Sequence, residues 1–462
     1  MSSQSIISEN PFQPDQVLIE ASLADEDRIE STLLSAIEAQ YAWKSDAMLR
    51  SKSLASFGRA IEDRKSEFVA LMVREVGKPV PEADGEVERA LAILRYYSQV
   101  ALDSNGSTYP GSTPGAQVVV RREPLGVVLA ICPWNFPLAI PLWKTAPALA
   151  YGNAVIIKPA SPAVATASLL RECAEESLPA GILGQLVMSG SRAGDLLDDS
   201  RISAVTFTGS TGVGLSVAER MARRAAPAQA EMGGQNPAVV LADANLEAAA
   251  DAIVSGAMGF SGQKCTATRR VVAVESVAER LEELMADRVS RIAVGDPSVD
   301  GVTAGPLISA TAVDEFGEAV SEALGSGASG LATAESVAGP GYFVSPTLLR
   351  QDDPGARVNQ EETFGPLLTT MRVKDTDAAV EAANATRFGL VGAVHGRDLG
   401  QAVEVVSRLN CGLRRINAPT PGVDYYAPFG GEGMSSFGPR EQGRAAGEFF
   451  TSTTTMTVIP SA

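Results

Sequence analysis

Apolar residues recur every three to four positions near the start of the chain. Ile29, Leu33, Leu34, Ile37 and Tyr41 fall on one face of a helix predicted over residues 25–45. Leu54, Phe57, Ile61, Phe68 and Leu71 continue the habit through a second helix, and residues 88–100 read as a third. Residues 106–115 form a Ser-, Pro- and Gly-rich break, after which AQVVVRREP reads as a strand. The period then changes. Short, near-continuous apolar runs (GVVLAICP, AVIIKP, AVTFTG, PAVVL) alternate with helical segments such as 164–176 and 213–224. That alternation predicts an α/β fold with a parallel sheet covered on both faces, its ligands gathered at the strand tips. A second alternating unit begins near Gly256, with the strand RRVVAVES, helices over 277–292 and 375–385, and the strand GLVGAVH. The tail FFTSTTTMTVIP is threonine-rich and strand-prone. It has no neighbour in sequence to pair with, so a partner chain is expected to supply one.

Composition narrows the function classes. A chain of 462 residues implies two or three domains. The net charge of -17, from 38 basic and 55 acidic residues, argues against nucleic acid or an acidic membrane surface as partner. No eighteen-residue apolar run predicts a membrane span, and MSSQSIISENPF lacks a secretory pattern. The four cysteines, Cys132, Cys173, Cys265 and Cys411, are far apart and fit neither a metal site nor a disulfide framework, so no metal and a cytoplasmic location are expected. The one histidine, His395 in AVHGRDLG, reads as a turn or surface residue. A general base is therefore expected to be a carboxylate.

Four stretches carry candidate chemistry. In GFSGQKCTATRR, Gly262 allows close backbone approach and the polar flanks of Cys265 do not suit a packed core, although a small buried thiol is the other reading. If CTATR opened a helix, its free N–H groups would favour a thiolate at Cys265. In EMGGQNPAVV, Glu231 is a solvated glutamate or a base in a low-dielectric cleft, and Glu362 is the second carboxylate candidate. CPWNFPLAIPLWK offers Asn135 as an amide donor for a developing oxyanion and Trp134 as a pocket wall, unless the loop is merely structural. Lys158 in IIKPAS stands at a strand tip suited to a ribose or phosphate. Gly209, Ser210 and Gly214 open a helix whose N–H groups could receive a pyrophosphate, though their spacing is not G-x-G-x-x-G.

The ordered set PWNFP, KPAS, FTGST, EMGGQNP, GQKC and EETFGP, with EVGKP before it and PFGG and REQG after it, resembles the aldehyde dehydrogenase superfamily over nearly the whole chain. The resemblance implies a Rossmann-type cofactor domain (1–105 and 125–233), an α/β catalytic domain (234–435) and a small β oligomerisation arm (106–124 and 448–462), assembled as dimers or pairs of dimers. It makes Cys265 the nucleophile, forming a thiohemiacetal and then a thioester. Asn135 and the Cys265 N–H would hold the oxyanion, and Glu231 would activate the hydrolytic water. Lys144 and Trp134 would support the cleft. Glu362 would bind the nicotinamide ribose, Phe364 would pack by the ring, Lys158 would contact the adenosine ribose and Ser210 the pyrophosphate. Ser161 stands where NAD-preferring relatives carry a ribose-binding glutamate, which implies NADP, or use of both NADP and NAD.

The segments GQKCTATRR and YYAPFGGEGMSSFGPREQG are similar to the branch oxidising semialdehydes of oxo acids, above all 2-oxoglutarate semialdehyde. Succinate semialdehyde and aromatic aldehydes are the alternatives, with CoA-acylating and non-catalytic relatives further off. The pocket would draw on Arg269, Arg414, Arg415, Tyr425 and Phe429. After PFGG this chain has EGMSSFG, without the lysine common in the family.

Overall fold

A computed structural model describes residues 5–460. Residues 1–4 and 461–462, the outer ends of the expected cofactor domain and arm, lie outside the described residues. Two largely parallel sheets dominate. The first has six strands in the order Ser436–Phe437, Ala228–Glu231, Ile202–Thr208, Val127–Ile131, Ala154–Lys158, Leu183–Gln185. All its pairings are parallel except that of Ser436–Phe437. From Val127–Ile131 the chain winds outward through Ala154–Lys158, then returns to build the other side with Ile202–Thr208. The carboxyl ends of these strands thus meet at a topological switch point, where open α/β sheets hold ligands.

The second sheet has seven strands in the order Ser329–Thr333, Thr347–Arg350, Leu367–Val373, Thr268–Val274, Asn236–Val240, Val391–His395, Leu413–Ile416. Only the edge strand Ser329–Thr333 runs antiparallel. His395 ends an inner strand and is buried, not at a surface turn, because AVH completes an apolar run between two neighbours. Burial lowers its imidazole to about 4, so it is neutral.

Helices Glu26–Trp43, Ala47–Asp63, Lys65–Val76 and Val80–Val100 pack with the first sheet in one core that includes Leu33, Trp43, Phe57, Ile61, Phe68 and Leu94. The first helix buries Ile29, Leu33, Ala36 and Trp43, while Leu34, Ile37 and Tyr41 are exposed. Two stripes overlap on this helix, and Trp43 selects the one that reaches the sheet. The expected second helix is two helices broken at Arg64, and the third starts at Val80, just after Pro79.

The break at 106–115 contains a strand, Gly106–Pro110, paired with Gln117–Pro124. The tail strand Thr451–Val458 pairs antiparallel with the other edge of Gln117–Pro124, so its partner lies in its own chain. More than three hundred residues of sequence separate the two strands, and side-chain period carries no trace of so distant a pairing. Among the described residues no helix is long and apolar enough to cross a membrane, and no cluster of His, Cys, Asp and Glu is placed to hold a metal.

Trp43 is 1% exposed and donates from Nε1 to the Leu149 carbonyl at 2.9 Å, tying the first helix to the sheet layer. Trp43→Ala is expected to destabilise this core by about 3–5 kcal/mol, read as a lower urea midpoint by circular dichroism.

Candidate active site

The loop after Val127–Ile131 brings Asn135 to the switch point, where it is buried. Its Nδ2 donates to the Gln263 carbonyl at 3.0 Å, while Oδ1 has no partner. An ion pair fixes this loop. Lys78 and Glu86 are fully buried and bonded to each other. Lys78 Nζ also donates to the Asn135 carbonyl at 2.8 Å, and Glu86 Oε1 accepts the N–H groups of Leu138 and Ala139, each at 2.9 Å. The ammonium lies 4.0 Å from the Phe136 ring centroid and 4.5 Å from that of Phe260.

Phe260 belongs to the other half of the site. Helix Leu246–Met258 ends in a turn where Phe260, Ser261 and Gly262 have φ of 53°, 51° and 67°. Three consecutive left-handed residues are costly for side chains with a Cβ. Burial of Phe260 against Trp134 and Phe136, and a 2.6 Å bond from Ser261 Oγ to the Gly305 carbonyl, hold them there. A Cβ on Gly262 would collide with the Gly365 carbonyl, so glycine is required by both space and φ.

Cys265 follows in irregular chain before strand Thr268–Val274; CTATR does not open a helix. Alternating residues with a β-branched run after them favour the strand. Asn236 Nδ2 donates to the Cys265 and Ala267 carbonyls, both at 2.8 Å. Cys265 is partly exposed, the other three cysteines are buried, and all four are free. Burial, then Glu362, Glu231 and Glu441, push its thiol up to about 12, opposed by its own N–H. The resting sulfur is therefore a thiol, not the thiolate expected from a helix start.

Glu231 ends its strand and is buried. Ser436 Oγ donates to its Oε2 at 2.6 Å. Burial first and Glu441 second hold its carboxyl well above the usual range, with Ser436, Lys144 and Arg440 opposing. Lys144 is buried and bonded to Glu441, and it donates to Thr206 Oγ1 at 3.0 Å and the Phe207 carbonyl at 3.1 Å. Nearby, Phe429 packs on Trp143 with ring centroids 5.5 Å apart, and Tyr425 lies edge-on to Tyr96 at 5.8 Å.

On the other side of the thiol, Glu362 is pushed up to about 7 by burial, opposed by Arg269 and the Gly234 N–H. Its Oε1 has no hydrogen-bond partner, and a Cβ on Gly233 would collide with Oε2. Phe364 meets Trp134 edge-on at 5.7 Å. Trp134, Glu362 and Phe364 wall a cavity of about 640 Å³ together with Ile308, Thr311 and Phe316; Cys265 itself does not line it. Lys158 ends its strand with no carboxylate beside it among the described residues. Ser161 opens a short turn whose following helix is capped by buried Glu75, through the N–H groups of Ala165 (2.6 Å) and Thr166 (2.8 Å). Ser210 caps helix Thr211–Arg223 by position, but its hydroxyl makes no capping bond. Gly209 donates its N–H to the Glu231 carbonyl, and Gly214 lets the helix close on Met232. Open helix N–H groups, an unpaired lysine and a half-unsatisfied carboxylate fit a dinucleotide's pyrophosphate and ribose hydroxyls.

The three arginines expected in a substrate pocket are engaged elsewhere. Arg269 donates to the carbonyls of Gly262 (2.7 Å) and Gly365 (2.8 Å), bracing the cysteine loop from behind. Arg414 is exposed and donates to the Leu409 carbonyl, and Arg415 to that of Gly422. Lys78, Glu86, Ser436 and Glu441 were not singled out from sequence. EVGKP and REQG contain two of them, but nothing in a one-dimensional pattern distinguishes a buried charge from a solvated one.

Residues 1–456 match the aldehyde dehydrogenase family model. The chain belongs to the aldehyde dehydrogenase family. It is 38% identical to the alpha-ketoglutaric semialdehyde dehydrogenase of Bacillus subtilis, over 98% of this chain and 94% of that protein. It is 37% identical to the 1-pyrroline-5-carboxylate dehydrogenase of a Geobacillus species, over 94% and 86%. The NAD-dependent aldehyde dehydrogenase of Sinorhizobium meliloti superposes with a TM-score of 0.95 at 31% identity, covering 100% of this chain and 93% of that structure. The protein is an NAD(P)-dependent aldehyde dehydrogenase, with the family's Rossmann-type domain, catalytic α/β domain and small β arm.

A thiol raised to about 12 reacts slowly at neutral pH. Alkylation of Cys265 by iodoacetamide in the cofactor-free protein is expected to rise roughly tenfold per pH unit between pH 7 and 10, since thiolate is the reacting form. Peptide mass spectrometry reads the rate. A plateau below pH 9 would contradict the burial argument.

Proposed function

We propose that this enzyme oxidises a 2-oxo acid semialdehyde, above all 2-oxoglutarate semialdehyde, to the dicarboxylic acid through an acyl group on Cys265. The chemistry is supported by Asn135 donating to the carbonyl of Gln263, two residues before Cys265, and by Glu231 lying near enough for its charge to act on the Cys265 thiol. The substrate class is supported by the Bacillus and Geobacillus relatives, an alpha-ketoglutaric semialdehyde dehydrogenase and a 1-pyrroline-5-carboxylate dehydrogenase, both of whose substrates carry a carboxylate.

The Cys265 sulfur attacks the aldehyde carbon as its proton passes to solvent water, giving a thiohemiacetal. The Asn135 Nδ2 group, with one N–H beyond that given to Gln263, and the Cys265 N–H stabilise the oxyanion. A nicotinamide dinucleotide, when bound by Lys158, Ser210 and Glu362, supplies the hydride acceptor. Trp134 and Phe364 wall the cleft around its ring. Glu231 then takes a proton from water as the water attacks the thioester, and the acid leaves Cys265 free. Glu231 must first lose its own proton, so hydrolysis rises with pH as this carboxyl ionises. Lys144 and Glu441 beside it stabilise alternative charge states. The presence of Glu231 favours hydrolysis over transfer to CoA.

NADP, or use of both cofactors, is favoured by Ser161. A glutamate there would repel a 2'-phosphate, whereas serine can donate to it and Lys158 can pair with it. Strand Gly106–Pro110 is exposed along its whole length, as is most of Thr451–Val458, and open edges of this kind favour a dimer or dimer of dimers. Four free thiols fit a reducing cytoplasm.

A panel of acidic and neutral aldehydes assayed with NAD and NADP tests the reading. Cys265→Ala is expected to abolish oxidation while cofactor affinity is kept. Glu231→Gln should give a burst of reduced cofactor, then turnover slowed by roughly 10²–10⁴-fold, with the acyl adduct visible by mass spectrometry. Ser161→Glu should shift the kcat/KM ratio toward NAD; an unchanged ratio would overturn the phosphate argument.

A further inference from the structure

We infer that Arg89 reads the substrate's distal carboxylate and sets the preference for acidic semialdehydes. The inference rests on the acidic-semialdehyde reading above and supplies it with a residue. Helix Val80–Val100 runs alongside the reactive loops. Glu82 pairs with Lys264, the neighbour of Cys265, at 2.6 Å, and Glu86 binds the loop that carries Asn135. Arg89 stands three residues beyond Glu86 and seven beyond Glu82, on the same face of the helix. Its guanidinium reaches the Val423 carbonyl. Val423 begins the stretch containing Tyr425 and Phe429 and ending at Gly430, where an added Cβ would lie 2.9 Å from Glu231 Oε1. Arg89 and Glu231 are thus linked through one short segment, residues 423–430.

What separates Arg89 from the other buried arginines is unused bonding capacity. Arg50 donates to the carbonyls of Trp43, Lys44 and Ala150. Arg270 donates to those of Gln235, Ala382 and Ala383. Arg269 is occupied as described. Arg89 is half-buried and makes a single hydrogen bond and no ion pair among the described residues. Burial disfavours its charge, against the pull of Asp424, Glu86 and Tyr425. Asp424 is exposed and outside ion-pair reach, and Glu86 is bound to Lys78. A partly desolvated guanidinium with free donors matches a carboxylate's paired oxygens.

The test compares kcat/KM for 2-oxoglutarate semialdehyde with that for a neutral aldehyde of similar length, in the wild type, Arg89→Met and Arg89→Lys. Arg89→Met is expected to lower the acidic-to-neutral ratio on the order of 10²-fold, mainly through KM for the acidic substrate, with Arg89→Lys between. A preserved ratio in Arg89→Met overturns the inference. So does an equal loss on both aldehydes, which would make Arg89 only a brace for the Val423 segment. A wild type that itself shows no preference for the acidic substrate overturns the substrate reading, and is recognised without any variant.

Discussion

A single buried ammonium organises this site. Lys78 is enclosed by Phe136 and Phe260, neutralised by Glu86, and bonded to the Asn135 carbonyl. One aromatic ring comes from the loop bearing Asn135 and the other from the turn before Cys265. The ion pair thereby couples two segments more than a hundred residues apart. Removing either charge would leave the other stranded in an apolar setting, at a cost of about 3–5 kcal/mol. The pair adds little to stability over a well-packed hydrophobic substitute, so what it contributes is position. Glu86 orients Leu138 and Ala139 while Lys78 orients Asn135, and the amide is held ready rather than recruited.

The left-handed turn at Phe260–Gly262 shows how that position is held on the other side. Its strain costs roughly 1–2 kcal/mol at each of the two residues bearing a Cβ, and packing of Phe260 beneath the same ammonium offsets it. The electrostatics around the sulfur run in an unexpected direction. Three carboxyl groups, not cations, are the charges that act on Cys265. The ionisation of Glu231 and Glu362 is itself disfavoured by burial.

The two-sheet α/β plan was readable because near-continuous apolar strands alternate with amphipathic helices. The motif order pointed to the family for the same reason, since glycines, prolines and polar residues cluster where strands end. Long-range pairing was not readable: the tail strand lies on Gln117–Pro124, and no local period announces it. Nor was the conformation at Cys265, where tertiary packing outweighs a helix-like flank. Charge placement was the largest gap. Arg269 was expected in the substrate pocket and instead donates to the Gly262 and Gly365 carbonyls, while nothing in the sequence announces that Lys78 and Glu86 are fully buried. Burial decides the meaning of a charged side chain, and burial is a property of the folded chain.

The protonated state of the resting sulfur has one further consequence. Peroxide oxidises thiolates, and the first product, a sulfenic acid, opens the route to irreversible oxyacids. A Cys265 kept protonated among acids presents little thiolate at neutral pH to peroxide or to any other electrophile.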